Sequence, residues 1–257
     1  MSAAVQPLSK SAVHAWRLGL VGGFFGLWML ASALYPTARY VVGDPVLVVV
    51  QLYDWFLEGS IFGHLALTAI EAMLGFAVGA LGGVAVGLLF LFVPALRHLF
   101  DPILAILAVV PRIVLAPMFM IWFGLGIVSK AALVTLIVFF IVYFNVEAGL
   151  RAVQGHLIDR ARLYGANGFQ LVREIYLPAS LVWLVSSLKV SIGFAFLGAI
   201  VAEYLGATAG IGSLIAFAQS QNDPNAVMAG LGVVFLVVVP LDWILTRIER
   251  KTVAWRG

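Results

Sequence analysis

Residues 159–178 read DRARLYGANGFQLVREIYLP, a polar and charged stretch that lies between two long apolar runs, residues 129–149 and 179–205. Four arginines lie in it or shortly before it: Arg151, Arg160, Arg162 and Arg173. Glycines interrupt it, which is typical of short helices joined by a tight turn. An ordered polar segment in such a place indicates a surface on which a soluble partner docks.

The composition of the whole chain accounts for the apolar runs, because 63% of its 257 residues are hydrophobic and only 11% are charged. A soluble globular domain averages about 25% charged residues, so we expect an integral membrane protein. The runs are continuous rather than alternating, which favours helices over the strands of a membrane barrel. The net charge of +3 comes from residues near helix ends and reflects membrane topology, so we expect no binding to nucleic acid.

We predict an all-α integral membrane fold with six transmembrane helices, each long enough to cross a hydrocarbon core of about 30 Å. They cover residues 18–35, 62–93, 103–125, 129–149, 179–205 and 226–246. The second is longer than a membrane requires, which implies tilt, a kink or a protruding end. The third contains Pro111 and Pro117, so we expect it to be bent or re-entrant. Residues 46–57 have apolar positions at helical spacing and are expected to lie in the membrane interface.

Lysine and arginine predict the orientation, because cytoplasmic loops carry an excess of both. One set of segments carries most of these residues: Lys10, Arg17, Arg97, the four arginines named above, Arg247, Arg250, Lys251 and Arg256. The alternate set carries only Arg39 and Lys130. Both termini are therefore expected in the cytoplasm, with residues 1–17 as a cytoplasmic tail.

The N-terminal run also permits a second interpretation. Residues 18–30 followed by Ala-Ser-Ala at 31–33 look like the apolar region and cleavage site of a signal peptide. Cleavage would leave five spans and put the C-terminal basic cluster on the wrong side of the membrane. We therefore expect the first helix to be retained.

The polar stretch also follows a known spacing: an acidic residue, an alanine, a glycine and, ten residues later, a β-branched residue before Leu-Pro. The positions are Asp159, Ala161, Gly165, Ala166, Ile175, Leu177 and Pro178. This resembles the "EAA" loop of binding-protein-dependent ABC importer permeases, with Asp159 in place of the usual glutamate and Arg160 in place of the first alanine. In that family the loop contacts the ATP-hydrolysing subunit. The resemblance implies that residues 151–178 form an ATPase coupling loop, in which Gly165 makes the turn and Pro178 ends the second helix.

Further stretches resemble the nitrate/sulfonate/taurine branch of these permeases. They are residues 110–112 (Val-Pro-Arg), 116–119 (Ala-Pro-Met-Phe), 122–126 (Trp-Phe-Gly-Leu-Gly), 202–207 (Ala-Glu-Tyr-Leu-Gly-Ala) and 210–212 (Gly-Ile-Gly). The similarity covers roughly residues 45–250. One position departs from the branch, because Glu71 stands where its members usually have an arginine.

The resemblance implies a type I ABC importer permease fold, with residues 18–257 as the transmembrane permease domain. It implies a bacterial inner-membrane homodimer that works with a cytoplasmic ABC ATPase and an extracytoplasmic binding protein, and a small, often anionic solute such as nitrate, taurine or an alkyl sulfonate. The pattern G-x-x-x-x-G-K-[ST] is missing from the chain. ATP and Mg are therefore expected on the partner ATPase, with no cofactor in this chain.

Three charges lie deep within predicted spans, away from the span ends: Glu71, Arg112 and Lys189. Such residues usually face a partner or a water-filled path. Counting about 1.5 Å per residue from opposite sides of the membrane places Glu71 and Lys189 at similar depths. We therefore predict a midplane ion pair between them, either structural or part of the translocation path. Glu203 lies near the external interface, where it is either a structural cap or a contact for a docking protein.

A ladder of glycines on one stripe of the second span predicts close helix packing or a sliding surface: Gly75, Gly79, Gly83 and Gly87.

Two other functional classes are alternatives to an importer permease. An ion-gradient-driven secondary transporter would show related halves, and none is evident. An intramembrane enzyme would need a nucleophile with a base, but Ser186, Ser187 and Ser191 lack a histidine partner at membrane depth. With no cysteine, and histidines without ligand spacing, no metal site is expected.

Overall fold

The computed structural model describes residues 9–253, and these residues are almost entirely helical. The helices are α1 Lys10–Leu34, α2 Pro36–Val42, α3 Pro45–Leu57, α4 Ser60–Phe92, α5 Pro94–Val109, α6 Ala116–Phe123, α7 Ile127–Arg151, α8 Gly155–Leu163, α9 Gly168–Leu171, α10 Leu177–Gly206, α11 Ile211–Ser220 and α12 Pro224–Val253. A 3₁₀ turn, Arg112–Leu115, precedes α6, and a π-helical turn, Val172–Tyr176, joins α9 to α10. The first part of the predicted N-terminal tail and Arg256 lie outside the described residues.

Six segments of the described chain are long and apolar enough to cross a membrane. Five of them coincide with predicted spans and are built on α1, α4, α7, α10 and α12. The predicted third span consists of α5 and residues 112–123, which meet at an angle of 88°, so the expected bend is confirmed. The remaining segment, residues 36–57, contains α2 and α3 and is apolar enough to span. Its location in the interface stays a prediction.

The core of the bundle is the contact between α4, α7 and α10. Half of the residues in the most apolar part of α7 are buried. The glycine ladder of α4 faces α7 directly. A Cβ atom added to Gly75 would lie 2.4 Å from the Cβ of Val134, and one added to Gly79 would lie 2.6 Å from the carbonyl oxygen of Thr135. Because only glycine permits this approach of two backbones, the predicted close packing is confirmed.

Alanine at Gly79 is expected to destabilise the bundle by about 1–3 kcal/mol, because its Cβ would overlap a backbone oxygen that cannot move aside. The matched control is Gly82→Ala on the same helix, whose Cβ would meet only the ring of Phe139 at an ordinary 3.4 Å. Thermal unfolding of the purified variants in detergent measures the difference. Equal melting temperatures would contradict the backbone contact.

The bundle has two distinct ends. Helices α8 and α9 follow the C-terminus of α7 and lie at one end, called here the coupling-loop end. The opposite end carries α2, α3 and α11; there the backbone amide of Asp44 donates to Oδ1 of Asn225 at 2.8 Å, and α11 joins the end of α10 to the start of α12.

Candidate functional site

The polar stretch folds into an elbow of two short helices at the coupling-loop end. Helix α8 ends in a pair of backbone hydrogen bonds, from Gly165 N–H to the carbonyl of Arg162 and from Ala166 N–H to the carbonyl of Ala161, both 2.9 Å. This pattern requires a left-handed residue after the helix, and Gly165 supplies it with φ +84°. Arg160 lies in the same last turn, where a positive charge favours the helix dipole.

The second half of the elbow is fixed by a capping box at the start of α9. The side chain of Asn167 accepts from the Gln170 amide at 2.9 Å, and the Gln170 side chain accepts from the Asn167 amide at 2.8 Å. Since each bond satisfies an amide that the helix leaves unpaired, the turn between the helices is held from both sides. The elbow therefore has one defined shape without any partner.

A cleft of about 390 Å³ lies in the angle between α8 and α9. Four residues of the predicted coupling motif line it: Ala161, Gly165, Ala166 and Ile175. The other three lie outside the lining, with Asp159 exposed on α8 and with Leu177 and Pro178 as the first two residues of α10.

The prediction that Pro178 ends the second helix was wrong. Helical backbone continues from α9 through the π-helical turn into α10, and the Leu177 amide bonds back to the carbonyl of Val172. The π-helical turn is the reason, because it interrupts the regular i→i−4 bonding just before Pro178, which has no amide to donate. The elbow is thus rigidly continuous with α10.

Large apolar side chains at the elbow are open to solvent. Leu163 is 86% exposed and Tyr164 is 91% exposed, and Phe169 on α9 is also exposed. These three residues were not predicted to take part in docking, although large apolar side chains next to the Gly165 turn are visible in the sequence. Exposed apolar groups around a preformed cleft are typical of a surface that binds another protein.

Behind the elbow, a charge cluster ties the coupling-loop end of α5 to that of α7. Arg97 on α5 contacts Glu147 on α7 at 2.7 Å. Asp101 on α5 accepts from the hydroxyl of Tyr143 at 2.7 Å and lies 3.2 Å from Arg151. Arg151 also pairs with Glu147. Because Arg151 is the last residue of α7 before α8, the cluster anchors the base of the elbow to both helices.

A second polar cluster lies at the opposite end, buried between α4, α7, α10 and α11. The carboxylate of Glu71 lies 3.5 Å from the ammonium of Lys130, and both side chains are almost fully buried. Glu203 accepts from the hydroxyl of Thr68 at 2.6 Å and from the Gly212 amide at 2.8 Å. It therefore faces the N-terminus of α11, where negative charge is favourable.

The predicted pair of Glu71 with Lys189 was wrong. Glu71 pairs with Lys130, and Glu203 is the other charged neighbour of its carboxylate. Lys189 lies on the same helix as Glu203 but about 21 Å further along it at the helical rise. The depth count failed because α4 begins several residues before α7 at the opposite end, as the contacts of Gly75 with Val134 and of Gly79 with Val138 show. Equal counts from the two membrane sides therefore did not mean equal depth.

Glu203 was predicted to be either a structural cap or a contact for a docking protein. The side chain is fully buried and bonded to Thr68 and to the α11 backbone, as expected for a structural cap. A Cβ added to Gly210 would lie 2.2 Å from this carboxylate, so the glycine is required by the cap. The side chains of His64 and Thr68 complete this cluster, and neither residue was predicted from the sequence to take part in it.

Arg112, the remaining predicted path residue, is the first residue of the 3₁₀ turn between α5 and α6. Its Nη2 donates to the carbonyl of Ala108 at 2.9 Å, which caps the end of α5. The guanidinium of Arg112 also lies over the ring of Phe140, which is ten residues along α7 from Lys130, so Arg112 and the Glu71–Lys130 pair belong to different levels of the bundle. The three predicted path charges are not brought together.

Comparison with known proteins gives a consistent result. The family described as "Binding-protein-dependent transport system inner membrane component" matches residues 75–254. A protein of Bacillus subtilis (strain 168) named as an aliphatic sulfonates transport permease is 34% identical over 95% of this chain and 89% of its own length. A taurine transport system permease protein of Escherichia coli (strain K12) is 27% identical over 98% of this chain and 92% of its own. A chain of the inward-facing MetNI methionine ABC transporter superposes with a TM-score of 0.60 at 23% identity, covering 77% of this chain and 96% of that chain.

Proposed function

The chain belongs to the family of inner membrane components of binding-protein-dependent transport systems, and from this premise we propose that it imports a small alkanesulfonate-like anion. It is the membrane-spanning permease subunit of an ABC importer, a multi-pass membrane protein that works with an ATPase and a binding protein and is not itself an enzyme. Membership of this family argues against an ion-gradient-driven secondary transporter, because transport in this family depends on a binding protein.

The substrate class rests on the names of two relatives. One is named for aliphatic sulfonates and the other for taurine, which is itself an aminoalkane sulfonate, and each aligns over nearly the whole chain. Since the sulfonate group is negatively charged at physiological pH, its import against an inside-negative membrane potential needs an energy source, which the ATPase supplies, and a path that tolerates negative charge. The proposed location is a bacterial inner membrane, with the coupling-loop end in the cytoplasm.

We further propose that the ATPase docks on the elbow of α8 and α9. The support is the cleft lined by Ala161, Gly165, Ala166 and Ile175, together with the exposed Leu163 and Tyr164 beside it. ATP and Mg are held by that subunit. The binding protein is assigned to the opposite end, and two copies of the chain are proposed to form the path between them as a homodimer.

Uptake by the reconstituted complex tests the substrate proposal. The permease, its ATPase and its binding protein are placed in proteoliposomes, and accumulation of radiolabelled taurine and ethanesulfonate is measured with and without internal ATP. ATP-dependent accumulation of at least one sulfonate is expected. Transport of neither compound, with an ATPase that copurifies and hydrolyses ATP, would contradict the substrate class and leave the permease assignment intact.

Cysteine labelling checks the orientation in this cysteine-free chain. Cysteines at Glu58 and Gln221, both exposed at the opposite end, are expected to react with a membrane-impermeant maleimide added outside. Cysteines at His156 and Arg160, exposed on α8, are expected to react only after the membrane is permeabilised, because arginine-rich segments stay in the cytoplasm. External labelling at Arg160 would reverse the orientation and remove the ATPase from the elbow.

A further inference from the structure

A cavity of about 280 Å³ lies at the bend where α5 ends and the 3₁₀ turn begins. Apolar side chains of α7 and α10 form its far wall: Ile137, Phe194 and Leu197. Residues 108–113 form the near wall, and Arg112 is the charged residue among the described residues that line it. The volume is just under the roughly 300–1,000 Å³ typical of drug-sized ligand sites, so the cavity suits a small solute.

The guanidinium of Arg112 is only partly satisfied by the protein. Nη2 donates to the carbonyl of Ala108 at 2.9 Å, and the central carbon lies 4.8 Å from the ring centre of Phe140. Nε is buried and has no hydrogen-bond partner within the part of the chain that the structure describes. A guanidinium offers five N–H donors, and a buried donor without an acceptor is costly. Arg112 therefore has unused capacity to bind an acceptor.

The cavity lies near the middle of the bundle, far from both of its ends. Phe140, beneath the guanidinium, is near the middle of α7, a helix of 25 residues. The charge thus lies far from both ends of a segment that is long and apolar enough to cross the membrane. Ionisable residues at such depth mark substrate pathways when their charge is not neutralised by a structural partner.

We propose that Arg112 is an anion-binding residue of the translocation path and that the cavity holds a short alkanesulfonate. The sulfonate oxygens accept hydrogen bonds from the guanidinium, whose planar donors match oxyanions. The hydrocarbon part of the solute lies against Phe194 and Leu197. This inference rests on the proposed function, since it assigns a site inside the permease to the proposed substrate class.

The test measures binding to the permease–ATPase complex in lipid nanodiscs, without nucleotide or binding protein, by calorimetric titration with ethanesulfonate. Wild type is expected to bind ethanesulfonate more tightly than sulfate, because sulfate lacks an apolar part. Arg112→Gln is expected to weaken ethanesulfonate binding about tenfold or more, as a charge-assisted bond is lost. Leu197→Trp, which fills the cavity and keeps the guanidinium, should weaken it similarly. Arg112→Lys should bind with intermediate affinity.

The matched control for loss of one arginine is Arg39→Gln. Arg39 is half-exposed at the opposite end, where it pairs with Asp44 at 3.0 Å, so this variant should bind ethanesulfonate like wild type. Undiminished binding in Leu197→Trp would overturn the site and leave Arg112 as only a cap for α5, even if Arg112→Gln failed to fold. Sulfate bound as tightly as ethanesulfonate would overturn the assignment to an organic anion.

Uptake separates this inference from the proposed function. Sulfonate transport at the wild-type rate by a folded Arg112→Gln complex would overturn the site while the function stood. Ethanesulfonate binding that depends on Arg112, in a complex that transports no sulfonate with its binding protein, would overturn the proposed function and the place of Arg112 in the path, while the anion-binding site itself stood. Absence of ethanesulfonate binding by wild type would overturn the inference directly.

Discussion

Gly165→Val is expected to abolish transport while the permease still inserts and folds. Gly165 has φ +84°, and an added Cβ would meet no atom of the chain within 4 Å. The cost is therefore conformational, on the order of 1–3 kcal/mol for a β-branched residue in the left-handed region. Relief of that strain would open the turn between α8 and α9 and displace the cleft that we assign to the ATPase. Copurification of the ATPase and ATP-driven sulfonate uptake are the two measurements.

Two further variants sharpen the Gly165 experiment. Gly155→Val is the matched control, since Gly155 begins α8 with ordinary backbone angles and also has no atom near an added Cβ. It should leave ATPase binding and uptake unchanged. Gly165→Asn should retain part of the activity, because asparagine tolerates the left-handed conformation. Full ATPase binding and uptake in Gly165→Val would refute the docking assignment.

Breaking the Glu71–Lys130 pair is expected to cause a large loss of stability, because both side chains are almost fully buried. Lys130→Met would leave Glu71 and its neighbour Glu203 buried without the ammonium, at a cost of about 3–5 kcal/mol. Glu71→Gln should cost less, because it removes one of two neighbouring carboxylates and leaves Lys130 bonded to the carbonyl of Leu125 at 2.7 Å. The double variant should recover part of the loss.

Thermal unfolding of the two single variants and the double variant yields a coupling energy. The control cycle pairs Glu71→Gln with Lys189→Met, because Lys189 lies about 21 Å along α10 from Glu203, which is the neighbour of Glu71. Its losses should add. Additive losses in the Lys130 cycle would mean that the buried pair contributes nothing, and coupling in the Lys189 cycle would restore the pairing predicted from depth.

The elbow illustrates what sequence could predict. The position of Gly165 in the motif was enough to predict a turn there, because few residues other than glycine adopt a positive φ. The continuation of helix through Pro178 could not be predicted, because a π-helical turn depends on how the surrounding helices hold the chain. The exposed Tyr164 was visible in the sequence, but its exposure follows from the direction in which α8 leaves α7.

The opposite-end cluster illustrates where sequence reasoning failed. Lys130 was counted as a charge of an external segment, yet the first turn of α7 buries it between neighbouring helices. Pairing across helices depends on how far each helix extends along its neighbours. A single sequence gives the length of α4 but not its offset from α7, so the partner of Glu71 could not be identified from residue counts.

The glycine ladder of α4 also limits how α4 and α7 can move relative to each other. Cβ positions on Gly75, Gly79 and Gly83 would overlap the backbone of α7 or the side-chain atoms next to it, so the two helices interlock and cannot slide past each other by a turn. Rearrangement during transport must therefore be carried by elements outside this pair. The bend between α5 and the 3₁₀ turn lies outside the interlocked pair, and Arg112 lies on it. Any motion at that bend would carry the guanidinium with it while the interlocked pair stayed in place.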